Sequence, residues 1–331
     1  MKVVEDVFGT LPDGDKVTSF TLENINHTQI TVISYGATWQ SFSIERAGEK
    51  QELLVQFDEL DSYLNNPLHL GNTIGRVGGR LSKTSYNLSG KIFNLTPNER
   101  GNVLHSSVNG FDTVNWQGTA RNMGHAAEVK LSHVFDDEFP GQLQMDVTYT
   151  LYDDDHVTIK FSGQSTETTL FNPMTHVYFN LVGKNADITK HELQIASQKH
   201  VEVDSNTVPT GRLLDNKNTR FDFSRMKKIG DEQFDDAWLL DNQHDKNLVI
   251  VKESQNGRAL TIDSDRNGVV VFMTNPEVTA HDDSWAKSAS FTALAIEMQT
   301  LPDAVNHEGF GDIILPAGEL KEYMVTYSIT D

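Results

Sequence analysis

The most regular feature of the chain is an alternation of apolar and polar side chains with a period of two. Between positions 142 and 152, Leu143, Met145, Val147, Tyr149 and Leu151 fall on one side, and Gln144, Asp146, Thr148 and Thr150 on the other. Successive side chains of an extended strand point to opposite faces, so this run predicts a strand with one face in a core and the other in water. Asp153-Asp154-Asp155-His156 then supplies turn residues, after which Val157, Ile159 and Phe161 alternate with Thr158, Lys160 and Ser162. The two runs predict a hairpin. Similar runs occupy 29–35, 192–196, 248–251, 269–273, 291–298 and 323–329.

Helical periodicity is scarce. Asp58-Glu59-Leu60-Asp61-Ser62-Tyr63-Leu64 predicts one short helix, with acids in the first turn where the helix dipole favours them and Pro67 to stop it. No internal repeat, low-complexity linker or composition break divides the chain. The expected fold is all-β: a large antiparallel β-sandwich with few short helices, with residues 1–331 forming a single domain.

Composition narrows the partners. Acidic residues outnumber basic ones 47 to 27, for a formal net charge of -20. Nucleic acid and anionic membrane surfaces would repel such a chain. There are no cysteines, which removes disulfides, thiolate metal sites and cysteine nucleophiles. Met1-Lys2-Val3-Val4-Glu5-Asp6 carries acid where a secretory signal needs an apolar stretch, so a cytoplasmic location is expected. No run approaches the roughly 18–20 apolar residues of a membrane span.

Several short motifs resemble chemistry that their contexts do not support. Asp263-Ser264-Asp265-Arg266-Asn267-Gly268 imitates the start of a calcium loop, but Thr274 stands where the bidentate Glu belongs and the flanks read as strands. Asn267-Gly268 predicts a hairpin turn there. Gly75-Arg76-Val77-Gly78-Gly79-Arg80 lacks the ending of a phosphate-binding loop. Neither G-x-S-x-G nor H-E-x-x-H occurs. His69, His156, His200 and His281 stand alone and read as surface or satisfied core residues.

Four segments place polar, chemically able residues in apolar or turn-rich surroundings. Gly71-Asn72-Thr73-Ile74-Gly75-Arg76-Val77-Gly78-Gly79-Arg80-Leu81 lets backbone pass close to a partner between two arginines. Leu104-His105, followed by Asn109-Gly110-Phe111-Asp112 and Trp116, joins a histidine to aromatics that suit sugar C–H faces. In 172–181, a strand would put His176, Tyr178 and Asn180 on one face and Val177, Phe179 and Leu181 on the other. A histidine in such a polar row is a natural general acid. In 291–299, Leu294, Ile296 and Met298 share one apolar face, while Glu297 interrupts the other, formed by Phe291, Ala293 and Ala295. A carboxylate there must be paired, hydrogen-bonded or functional, because bare burial costs several kcal/mol. A base in a dry site and a structural ion pair both satisfy that demand.

These segments resemble the aldose 1-epimerase (galactose mutarotase) family in collinear order over almost the whole chain. The resemblance rests on Gly75-Arg76-Val77 with Arg80-Leu81, on Leu104-His105 with Gly110-Phe111-Asp112 and Trp116, and on 175–181. It continues through Val208-Pro209-Thr210-Gly211, Phe234-Asp235-Asp236, and Glu297-Met298-Gln299 with Pro302-Asp303 and Asn306. It implies a β-sandwich with a sugar cleft on one sheet. Glu297 would be the general base at the anomeric hydroxyl and His176 the general acid at the ring oxygen, with His105 near that oxygen and Arg80 and Asp235 on sugar hydroxyls. Two coupled proton transfers need no cofactor and no metal. The implied partner is a small-molecule sugar, a free hexose such as galactose or glucose.

Departures from the family pattern fall at Gly79, usually Asn; at Ser106-Ser107, usually Gly-Gly; at Asp236, usually His; and at Val271, usually a sugar-contacting Gln. Three other functions stay open at this point. A hexose-6-phosphate 1-epimerase would want clustered arginines such as Arg76 and Arg80. A sugar-binding domain on the same fold would need neither His176 nor Glu297. A glycosidase would need two carboxylates across the bond, for which Glu297 and Asp235 are the nominees.

Overall fold

The computed structural model describes residues 1–106, 108–183, 186–241, 246–254, 256–274 and 292–330. Ser107, His281 and Phe291, considered above, lie outside the described residues. Alternation dictates the architecture, because a strand with one apolar face must lay that face against another sheet. The predicted hairpin is present, with Leu143–Tyr152 paired antiparallel to Val157–Ser165 from Leu143↔Ser165 to Leu151↔Val157. It sits inside a nine-stranded sheet that also contains Ala126–Phe135, Leu320–Thr330, Ala259–Ser264, Val249–Lys252 and Glu192–Ile195.

Opposite it lie a five-stranded sheet formed by the first five strands, from Lys2–Thr10 to Glu49–Glu52, and a six-stranded sheet. The latter runs in the order Tyr178–Phe179, Leu294–Gln299, Gly268–Met273, Asp235–Leu239, Lys199–Val203 and Pro209–Asp215. One core joins the three sheets: Phe20 and Val32 pack in the same buried cluster as Val147, Phe161, Ile296 and Trp238. All ladders among these strands are antiparallel, as the alternation requires. The expected short helix is Leu60–Leu64, with Leu60 and Tyr63 buried. No helix among the described residues is long and apolar enough to cross a membrane.

One expectation from turn chemistry fails. Asn267-Gly268 does not close a hairpin, because Ala259–Ser264 belongs to the nine-stranded sheet and Gly268–Met273 to the six-stranded sheet. The chain crosses between the two layers at 265–267. Long-range bonds hold this corner: Asn267 Nδ2 donates to the Phe310 carbonyl at 2.9 Å. Arg266 plugs the interior at 1% exposure, donating to the Pro173 carbonyl and Thr300 Oγ1 at 3.1 Å each, and to Asn172 Oδ1. Its guanidinium also lies 3.5 Å from the Tyr323 ring centroid.

Candidate active site

The cleft opens on the face of the six-stranded sheet that points away from the core. Within Leu294–Gln299, Leu294, Ile296 and Met298 enter the sandwich core and Glu297 faces the cleft. The register then selects its neighbours. Val270 pairs with Glu297, and Ala237 with Val270. Tyr178 pairs with Ala295, so two residues further along an antiparallel partner stands His176, level with Glu297. The side chains meet there: His176 Nε2 lies 3.1 Å from Glu297 Oε1, with both groups almost fully buried. The His176 backbone is fixed in turn, donating to the Asn72 carbonyl and accepting from the Gly71 amide at 2.9 Å each.

Burial decides the charge of this pair. It pushes the Glu297 carboxyl up to about 8, with Asp235 adding to the rise and Arg80 and a 3.0 Å bond from Gln299 opposing it. It pushes the His176 imidazole down to about 3, with nearby His69 acting in the same direction. Near neutrality burial therefore favours one proton on the pair, held by Glu297 and donated to His176. A low-dielectric pocket disfavours separated charge.

All five residues nominated from sequence, Glu297, His176, Arg80, His105 and Asp235, line one cleft. Arg80 lies 3.1 Å from Asp235 and holds Glu99 with two bonds of 2.7 and 3.0 Å. His105 is 8% exposed, and burial drives its imidazole well below the ordinary range. Its Nδ1 accepts the Gly79 amide at 3.2 Å, which leaves Nε2 carrying the ring proton. Leu68, Val201, Val203, Pro209, Val270 and Phe272 supply apolar wall.

Other nominees do different work. Arg76 is fully buried away from the cleft, paired with Asp137 at 3.0 Å and donating to the Pro140 and Gly141 carbonyls. Phe111 and Trp116 pack in the core rather than against a ligand. Gly75 is required there, since a Cβ would sit 2.0 Å from the Phe111 ring. Asn180 ties buried backbone, donating to the Ala186 and Thr292 carbonyls at 2.8 Å each.

The departures sort similarly. Ser106, at φ 74°, clamps Val77 by accepting from its amide at 2.6 Å and donating to its carbonyl at 3.0 Å. Asp236 reaches the cleft wall but gives its carboxylate to Arg220 at 2.9 Å. Val271 faces the core, and strand alternation puts Val270 and Phe272 in the cleft instead. Gly79 does line it, at φ 71°, a conformation that Asn also tolerates.

His69 does not stand alone. It lines the cleft, with its ring centroid 4.9 Å from that of His105 and 6.1 Å from that of His176, and Asp112 Oδ2 lies 2.9 Å from its Nδ1. That partner is 43 residues away in sequence, so no local pattern announces the pair.

A profile of the aldose 1-epimerase family matches residues 18–328. A maltose epimerase from Levilactobacillus brevis is 35% identical, covering 100% of this chain and 99% of its own. A galactose mutarotase from Bos taurus is 31% identical, again covering 100% and 99%. The solved structure of a galactose 1-epimerase from Lactobacillus acidophilus has the same fold, with a TM-score of 0.88 over 99% of this chain and 98% of its own at 22% identity. An antiparallel sandwich with these relatives is an isomerase that acts on sugars. The chain belongs to the aldose 1-epimerase family.

Proposed function

We propose that this protein interconverts the α and β anomers of a neutral aldose, with Glu297 and His176 exchanging protons with the sugar. The observation that carries this reading is the buried contact of 3.1 Å between the two groups at the cleft floor. In the proposed cycle the ionised Glu297 takes the proton of the anomeric hydroxyl, and protonated His176 gives its proton to the ring oxygen. The C1–O5 bond breaks, leaving an aldehyde at C1 and a hydroxyl at C5. Rotation about C1–C2 presents the other face, and closure returns each proton to its donor. Ring opening ends with Glu297 protonated and His176 neutral, the same proton arrangement that burial favours. The direct hydrogen bond lets the proton pass back between the two groups without a water.

Arg80 and Asp235 hold the sugar by its hydroxyls in this reading, and the apolar wall takes its C–H faces; His105, expected near the ring oxygen, is assigned a hydroxyl instead, because His176 already serves that oxygen and the His105 ring stands against His69. A single core shared by the three sheets supports treating the chain as one functional unit. A neutral substrate is favoured over a sugar phosphate, because Arg76 is sealed inside the protein and Arg80 already faces Glu99 and Asp235. The same pairing to Arg80 leaves Asp235 poorly suited to act as a glycosidase acid. Free glucose and galactose are the proposed substrates, and the maltose epimerase relative extends the reading to the reducing end of a disaccharide.

Polarimetry tests the reading. Freshly dissolved α-glucose, α-galactose or maltose should reach anomeric equilibrium faster with the protein than without it. Absence of acceleration on all three would reject it in favour of a sugar phosphate or a binding role.

A further inference from the structure

His69 and His105 are adjacent in space and opposite in hydrogen-bonding sense. His105 Nδ1 accepts the Gly79 amide, so its Nε2–H is a donor. His69 Nδ1 faces the Asp112 carboxylate at 2.9 Å, and a carboxylate only accepts, so the neutral His69 ring carries its proton on Nδ1 and leaves Nε2 as an acceptor. Neither Nε2 has a hydrogen-bond partner among the described residues, and both rings line the cleft, their centroids 4.9 Å apart and their planes at 75°.

The backbone holds this opposition in place. His69 stands at φ 51° and its amide donates to Asn66, while the Asn72 amide donates to the His69 carbonyl at 3.0 Å. The same Asn72 carbonyl holds the His176 amide. Asp112 comes from the short helix Phe111–Thr113, whose Phe111 is locked in the core. A side chain positioned only to fill space needs no carboxylate to choose its tautomer.

We propose that His69 is a specificity-determining residue which, with His105, clamps one hydroxyl of the sugar: the hydroxyl donates to His69 Nε2 while its oxygen accepts from His105 Nε2–H. A hydroxyl is the one common sugar substituent that does both. The clamp therefore selects an aldose with a free hydroxyl at that ring position and rejects one that is deoxygenated, alkylated or oxidised there. This proposal rests on the sugar-isomerase reading of the same cleft.

The test uses glucose and galactose with their deoxy and deoxyfluoro analogues at each ring position except the anomeric one. Fluorine accepts weakly and cannot donate, so it removes the bond to His69 selectively. Dissociation constants are measured by titration calorimetry, and kcat and KM by polarimetry, for the wild type, His69→Phe and Asp112→Asn. At one position the fluoro sugar should bind the wild type about tenfold more weakly than the parent, the scale of one lost hydrogen bond. His69→Phe should weaken the parent by a similar factor and the fluoro sugar hardly further, giving a coupled cycle. The loss should fall on KM and the dissociation constant, with kcat changed by less than about threefold. Asp112→Asn should shrink the same discrimination, because an amide can donate to Nδ1 as well as accept from it and so no longer fixes the tautomer of His69.

Equal losses for parent and fluoro sugars at every position would overturn the clamp, as would a failure of both parent sugars to bind. Binding without catalysis would reject the isomerase reading, yet the calorimetric cycle would still decide the clamp.

Discussion

His176 Nε2 and Glu297 Oε1 stand 3.1 Å apart, both almost fully buried. They come from segments more than a hundred residues apart, brought level by the pairing of Tyr178 with Ala295. Because they touch, they behave as one titrating unit that carries a single proton around neutrality. Removing either member removes the unit. Glu297→Gln and His176→Asn should each lower kcat for mutarotation by about 10²–10⁴-fold while the far-ultraviolet circular dichroism stays that of the wild type. Full polarimetric activity in either folded variant would reject the roles assigned here.

The shared proton also sets the pH dependence. The pair loses its last proton as pH rises past about 8, where burial has moved Glu297, and gains a second only as pH falls towards about 3, where burial has moved His176. The rate should be level between these limits and fall on the alkaline side, after subtraction of the buffer-catalysed reaction. A rate that keeps climbing above pH 8 would contradict a single-proton pair.

Stability should run against activity at this position. The folded-state pKa of Glu297 lies above its ordinary value of 4.5, so its contribution to stability is complete below that value and is lost as pH rises through about 8. A glutamine does not titrate. Between those limits Glu297→Gln should therefore gain on the wild type as pH rises, by several kcal/mol on the alkaline side. Urea denaturation at an acidic and an alkaline pH measures the difference, and a gap that stays constant would refute the shift.

The two arginines of the glycine-rich segment should separate cleanly. Arg76→Met strands Asp137 in the interior and should cost about 3–5 kcal/mol of stability, leaving sugar affinity of the folded protein unchanged. Arg80→Met should raise KM. It should also move the alkaline limb of the rate profile upward, because Arg80 draws the Glu297 pKa down. Equal effects of the two substitutions on KM would argue that both reach the substrate.

A phosphate on the sugar should be a handicap. With Arg76 enclosed and Arg80 flanked by Glu99 and Asp235, no uncommitted arginine lines the cleft among the described residues. Glucose 6-phosphate should show kcat/KM at least about tenfold below glucose in a coupled or polarimetric assay. A preference for the phosphate would redirect the substrate assignment.

Much of this site is legible in the sequence because its key groups break a local rule. Glu297 stands out as a charge in a strand whose other members are apolar on both faces, and His176 as a titrating group in an alternating row. Alternation also yields the strands, since period two is a purely local signal. What it does not yield is which strands become neighbours, and there the reading fails. His69 looked solitary because its carboxylate and its two histidine neighbours arrive from distant segments. The turn at Asn267-Gly268 has good hairpin chemistry, but the strands on either side pair in different sheets. Val271 was set against a sugar-contacting position by motif alignment, yet one step along a strand reverses the face, and Val270 occupies the cleft.

The corner at Arg266 bears on how such an enzyme can diversify. Its guanidinium grips Asn172 and Pro173, just upstream of His176, and Thr300, just downstream of Glu297. Asn172 and Thr300 are further bonded to each other in both directions. The spacing of His176 and Glu297 is thus riveted from behind, on the side away from the cleft. Gly79, Val270 and the turn around Thr207 sit on the opposite, accessible side. On the proposed roles, a lineage can exchange those cleft-lining residues one at a time while the spacing of His176 and Glu297 stays fixed.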